Sequence, residues 1–249
     1  MPNSTSPGRL NGTPIGLDTE PVGEVAWRQV LVWLGASPRA VAEQWTLTPH
    51  HPALTHLDAL SHTVVDGRVY PDVPVSERVG ADGVRLGSTA AFADGILTRG
   101  VLLDLAPGGR LPAAHQITRR DLDAAVDRAR VEIASGDAVV VRTGWDPAAT
   151  DGRATPGADP SVIAWLRDHE VGIWIGDIGD AWPPLDPASP MPLHRLALFG
   201  LGLPLVDSAD LEQLANKCAR INRSTFLLVV APPRVHGASG VPANPIAVF

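Results

Sequence analysis

Residues 136–145 read GDAVVVRTGW. Between Gly136-Asp137 and Arg142 lie four apolar residues, Ala138–Val141, three of them β-branched, with no polar interruption. The run is too short for a helix, and a strand with one wet face would alternate polar and apolar side chains. Ala138–Arg142 therefore reads as a strand covered on both faces, the kind found inside α/β sheets. Working outward, three more runs follow the pattern: Val101–Leu105 (VLLDL), Val171–Ile175 (VGIWI) and Phe226–Ala231 (FLLVVA). Helical spacing fills the gaps. Thr118, with Asp121 three residues on, can cap a helix that runs to Ala134, ahead of Ser135-Gly136. Ser161–His169 and Ser208–Ala219 repeat that logic, each opened by a serine at the expected N-cap. Alternating strands and helices predict an α/β fold, a single domain with a mixed sheet and flanking helices. Ile178–Pro192, dense in Pro and Asp, predicts a long loop beyond the C-terminal end of the third strand. Open α/β sheets bind their ligands at that end.

Composition narrows the function classes. With 249 residues the chain can bury a substantial core, and 45% hydrophobic against 19% charged residues makes it globular rather than disordered. A formal charge of −7, with no long basic run, argues against a nucleic-acid partner. No apolar run reaches the roughly 18–20 residues of a membrane span. The opening MPNSTSPGRLNGTPIG lacks the charged-then-apolar order of a secretory signal. The single cysteine, Cys218, excludes an intramolecular disulfide and fits a reducing cytoplasm; its spacing from Leu211 and Leu214 makes it a helix core residue. Residues 1–20, rich in Gly, Pro, Ser and Thr, predict a flexible N-terminal arm, followed by one domain over residues 21–249.

Four of the eight histidines, His50, His51, His56 and His62, fall within thirteen residues. Even scatter would put about 0.4 of one there, so the cluster calls for a chemical reason. If His56-Leu57-Asp58 is extended, His56 and Asp58 point to one face, and two imidazoles with a carboxylate suit Zn²⁺ or Mn²⁺. His50 and His62 share the even parity and His51 does not. Pro52 could break the strand and bring His51 round instead, so both remain candidates for the upstream ligand. Three ligands leave an open coordination position, where a bound water has its pKa drawn towards about 7.

THLDALSH (Thr55–His62) resembles the second half of the hallmark H-x-G-T-H-x-D-x-P-x-H of the bacterial cyclase/kynurenine-formamidase family, which includes isatin hydrolase-like enzymes; Leu60 replaces the usual proline. GVLLDLA (Gly100–Ala106), GDAVVVRTGW, PLHR (Pro192–Arg195) and the tail GASGVPANPIAVF (Gly237–Phe249) resemble further family blocks in the right order, so the likeness covers roughly residues 45–249. It implies the swivelling β/β/α fold. It also implies one or two metal ions per chain, and a homo-oligomer, dimeric or higher. The family's usual first ligand falls on Pro52; His50 matches the position of a variant pattern and is taken as the ligand with His56 and Asp58. By the same likeness a second metal position uses His62, Asp58 as its bridge and His194 as the distant histidine, and Asp207 stands where the family carries a glutamate. His62 and His194 are the expected catalytic histidines, with His62, where it is not a ligand of the second metal, moving a proton between nucleophile and leaving group.

Asp177 and Asp180, in GDIGD after the third strand, sit where the family places substrate- or metal-facing groups, although turn aspartates are equally common there. Trp145, Asp177 and Trp182 are taken as substrate-binding, with Trp27 and Trp45 as further aromatic candidates. His115, His169 and His236 read as solvated, His169 near a helix C-terminus. The resemblance implies a hydrolase that cleaves an activated amide or ester of a small molecule (a formamide, a cyclic amide or a lactone) by a metal-bound hydroxide. The chain has no G-x-S-x-G elbow, which disfavours a serine hydrolase. Two alternatives stay open: a cyclase or lyase of natural-product biosynthesis, and a catalytically silent family member.

Overall fold

The computed structural model describes residues 26–34, 37–146 and 154–249, with side chains from residue 47 onward. The arm expected over residues 1–20, and the side chains of Trp27 and Trp45, lie outside them. Internal contacts divide the chain into two units, Met1–His51 and Pro52–Phe249. In the first, β1 (Ala26–Leu34) and β2 (Ser37–Thr46) pair antiparallel, with Trp27 opposite Trp45 in the register. These strands are not among those expected from the sequence; the signal for them is the β-propensity of Val30, Val32 and the tryptophans.

The second unit is built on one eight-stranded mixed sheet. In chain order its strands are β3 (His56–Asp58), β4 (Ile96–Asp104), β5 (Ala138–Arg142), β6 (Ile173–Gly176), β7 (Leu205–Asp207), β8 (Thr225–Val230), β9 (Gly240–Pro242) and β10 (Ile246–Val248). They lie side by side in the order β9-β3-β7-β6-β5-β4-β8-β10. The central β7-β6-β5-β4 are parallel, and antiparallel strands flank them on both sides. Parallel neighbours need crossovers, here made by α1 (Arg119–Ala129), α2 (Pro160–Asp168) and the wide, π-type α3 (Leu193–Leu201). A fourth helix, α4 (Glu212–Ile221), leads into β8. A single helical turn, Val75–Arg78, and short two-residue strand pairs fill the segment between β3 and β4.

Side-chain alternation sorts the core into two layers. Val101, Leu103, Val139, Val141, Trp174 and Leu205 pack with residues of α1, α2 and α3, including Leu122, Trp165 and Leu198. Leu57, Leu102, Val140, Ile175 and Val206 face the other way, towards Leu211 and Cys218 at α4. Every residue of β5 and β6 is buried, as runs without polar breaks require. The strand β8 departs from that expectation: Leu227 is exposed, since β8 lies near the sheet edge.

The helices differ from the sequence reading at their ends. Thr118 and Asp121 do form the capping box, but α1 stops at Ala129 because Arg130 turns left-handed (φ 54°). Asp159 caps α2 in place of Ser161, accepting from the Ser161 amide with Pro160 as first residue. The last helix begins at Glu212 rather than Ser208, which is held at φ 59° while the Ala209 amide bonds Gly176. Pro192 and left-handed Gly202 bracket α3, a Pro-start and Gly-stop pair that was a legible helix signal. His169 is half-buried rather than solvated: its ring lies 4.1 Å from that of Trp165 and its Nδ1 bonds Trp165 O.

Gly144 follows β5 at φ 78°, and a Cβ there would strike the Gly109 carbonyl. Gly136 is also left-handed, at φ 82°, but faces open space. Gly136→Ala should therefore cost only the backbone penalty of about 1–2 kcal/mol, whereas Gly144→Ala should cost clearly more, about 3 kcal/mol or above, through the added clash. Urea unfolding of the two variants measures the difference, and equal losses would contradict the packing at residue 144.

Candidate metal centre

The parity of β3 and β7 brings the ligand candidates together. Leu57 and Val206 face the α4 layer, so His56, Asp58 and Asp207 face the α3 side. Pairing of β3 with β7 sets Asp207 directly opposite His56. On the facing helix, His194 occupies the first turn of α3 and is buried. Its Nε2 lies 3.3 Å from Asp58 Oδ2 and 3.5 Å from Asp207 Oδ2, while His56 Nε2 lies 3.6 Å from Asp58 Oδ1. Asp58 has no solvent exposure. His62 is half-buried, its ring centred 5.7 Å from that of His194 and nearly perpendicular to it. Asp58, His62 and His194 offer ligand atoms that all fall within 4.8 Å of one another. Asp207 is the last residue of β7, so the cluster gathers at the carboxyl end of that parallel strand.

Both buried imidazoles present the same nitrogen. His56 Nδ1 bonds the Leu54 carbonyl at 2.7 Å and His194 Nδ1 bonds Asp180 Oδ2 at 2.8 Å. A carbonyl oxygen can only accept, so His56 Nδ1 carries a proton and leaves Nε2 as the ligand atom. Burial works against a charged His194, yet its bonds to Asp180 and Asp58 and the charges of Asp207 and Asp180 outweigh it. Its pKa is held well above the ordinary value. Burial pushes Asp207 up to about 7; His194 opposes the rise, and Asp58 and Asp180 add to it. Asp207 Oδ1 is buried without a hydrogen-bond partner among the described residues. Imidazole nitrogens, converging carboxylates and an orphaned carboxylate oxygen together fit a divalent cation.

The three substrate candidates differ in their surroundings. Both oxygens of Asp177 accept from Thr143 N, Oδ1 also from Thr143 Oγ1 and Oδ2 from Gly144 N, and burial pushes its pKa up to about 6 against those bonds. Trp145 is buried, donating its indole N–H to Leu111 O, with Arg110 over its ring. Trp182 is 71% exposed on the loop after β6. Asp180, singled out beside Asp177 by sequence, is the one of that pair that touches the histidine-carboxylate cluster. His50 belongs to the first unit and is half-buried.

The mixed α/β fold has known counterparts. Residues 16–180 match the model of the Cyclase family, and the chain belongs to that family. A solved structure of a novel cyclase is 25% identical with a TM-score of 0.76, over 90% of this chain and 81% of that one. Isatin hydrolase A from Labrenzia aggregata, bound to benzyl benzoate, is 20% identical with a TM-score of 0.67, over 90% and 84% of the two chains, a likeness of fold. The isatin hydrolase of Roseibium aggregatum is 30% identical over 146 residues, 51% of this chain; the chain thus matches about half the length of that relative.

Burial, with the charges of Asp58 and Asp180 added, should make the metal-free protein resist ionisation of Asp207. Because its folded pKa is raised, Asp207 contributes most to stability at about pH 4 and below, and that contribution is lost as pH rises through about 7. Asp207→Asn should therefore raise the melting temperature of metal-free protein at pH 8, with a smaller gain at pH 5, while weakening its binding of Mn²⁺ or Zn²⁺. Calorimetric melts at the two pH values check this; destabilisation at pH 8 would contradict it.

Proposed function

We propose that this protein is a metal-dependent hydrolase that cleaves an activated amide or ester of a small molecule: a formamide, a cyclic amide or a lactone. The observation that carries the proposal is the cluster of buried Asp58 and His194 with half-buried His62. Membership of the Cyclase family and the relatives that are isatin hydrolases support the choice of chemistry. His56 and Asp58 would hold one ion, with His50 as the upstream ligand on grounds of spacing and strand parity. Asp58, His194 and Asp207 would hold a second. Zn²⁺ or Mn²⁺ in such a site acidifies a bound water and polarises the scissile carbonyl.

The remaining work falls to side chains. Leu54 O and Asp180 keep the His56 and His194 rings oriented. His62, half-buried beside the cluster, is placed to carry a proton to the leaving nitrogen or oxygen. Trp182, exposed on the loop, is proposed to contact the substrate, while Trp145 and Asp177 shape the site through their buried hydrogen bonds. The proposal places the enzyme in the cytoplasm as a homo-oligomer. Among the described residues no helix is long and apolar enough to cross a membrane. The family name favours a second reading, a cyclase or lyase reaction on the same scaffold, and the substitutions at Pro52 and Asp207 motivate a silent member as a third.

A screen of metal-reconstituted protein separates these readings. Turnover of an N-formyl-arylamine, a cyclic amide or a lactone, lost by at least about a thousandfold in Asp58→Ala, supports the hydrolase; metal binding without turnover supports the cyclase or silent readings. Within the hydrolase reading, His50→Ala should lower metal affinity roughly tenfold or more while His51→Ala stays near wild type. Loss confined to His51→Ala would move the ligand to His51. Sedimentation at working concentration should show an oligomer; an active monomer would overturn that part of the proposal.

A further inference from the structure

Three hydrogen bonds tie Asp180 to α3. Its Oδ1 accepts from Leu193 N at 2.9 Å, and its Oδ2 accepts from His194 N at 3.1 Å and bonds His194 Nδ1 at 2.8 Å. The backbone bonds satisfy two of the amides that every helix leaves unpaired at its start, and the negative charge suits the positive end of the helix. The ring bond directs Nε2 away from Asp180 and towards Asp58 and Asp207. Rotation of the ring would break that bond, so helix entry and ring orientation are locked by one carboxylate.

The preceding residue acts on the other carboxylate. A Cβ built on Gly179 would collide with the Asp207 carboxylate, so the loop can approach that group only because residue 179 has no side chain. Gly179 and Asp180 are adjacent, and between them they contact both His194 and Asp207.

We propose that the Gly179-Asp180 pair is the positioning element of the second ligand set: Asp180 orients His194 through Nδ1, and bare Gly179 leaves room for the carboxylate of Asp207. The proposal rests on the metal-centre reading of the site. It assigns a role to two loop residues that make no ligand bond themselves. Outer partners of this kind are worth about ten- to a hundredfold in metal affinity.

Two readouts on the full chain test it. In metal-free protein, proton NMR should show a downfield, exchange-protected ring proton on His194 Nδ1, identified by its absence in His194→Gln. That proton should vanish in Asp180→Ala and weaken in Asp180→Asn, which keeps one acceptor oxygen. It should persist in Gly179→Ala, because that substitution acts on Asp207. In calorimetric titration with Mn²⁺, Asp180→Ala and Gly179→Ala should each lose about ten- to a hundredfold in affinity, and Asp180→Asn less than Asp180→Ala. Should Asp180→Ala fail to fold, the ring proton and affinity of Asp180→Asn carry the test. A ring proton that survives in the Asp180 variants, with Mn²⁺ affinity unchanged, would overturn the proposal. If wild-type protein binds no metal, the metal-centre reading fails, and the ring proton alone then decides whether Asp180 orients His194.

Discussion

The rest of the site depends on the burial of Asp58. A carboxylate removed from water loses several kcal/mol of solvation unless opposite charge or hydrogen bonds replace it. The neighbours of Asp58 include two other acids, since His194 lies within 3.5 Å of both Asp58 and Asp207 and bonds Asp180 on its far side. The single charge of a protonated His194, shared among three carboxylates, cannot neutralise them all. Burial drives Asp207 upward in pKa, the charges of Asp58 and Asp180 add to the rise, and a divalent cation at this point would oppose it. The cluster therefore makes physical sense as a site whose stability is completed by binding, in line with the tendency of functional centres to break the packing rules that hold elsewhere.

The sheet makes this crowding possible at fixed geometry. Antiparallel pairing of β3 with β7 brings two short strands into register at their polar residues, and alternation then puts His56, Asp58 and Asp207 on one side. A slip of β3 by one residue would send His56 and Asp58 into the apolar layer beneath α4 and turn Leu57 towards α3. The cost of that exchange fixes the register firmly. From the facing layer, α3 supplies His194, and the carboxylate of Asp180 caps its first turn. Strand register, helix entry and ring orientation thus converge within a few residues.

Much of this was legible in the sequence for identifiable reasons. Unbroken apolar runs betray buried parallel strands, and Ala138–Arg142 forms a strand with the same bounds as its reading. Strand parity correctly put His56 and Asp58 on one face. The resemblance, not any local pattern, pointed to His194 and Asp207, because residues over a hundred positions apart leave no periodic trace of their contact. Boundaries set by left-handed residues were missed: Arg130 ends α1 early and Ser208 delays α4, and neither residue type announces a positive φ. The different fates of Asp177 and Asp180 were equally hidden. Both follow the same strand, and only the fold decides that one serves the backbone of Thr143 and Gly144 while the other serves His194.

The central claim is that Asp58 is buried because it binds a cation. Diffraction from crystals grown with Mn²⁺ or Zn²⁺, with anomalous data collected on either side of the metal's absorption edge, locates that ion without reference to activity. The account predicts an anomalous peak in the cluster, with Asp58 and at least one of His56 and His194 among its ligands. A peak remote from Asp58, or none at a metal concentration that saturates binding in solution, would contradict it.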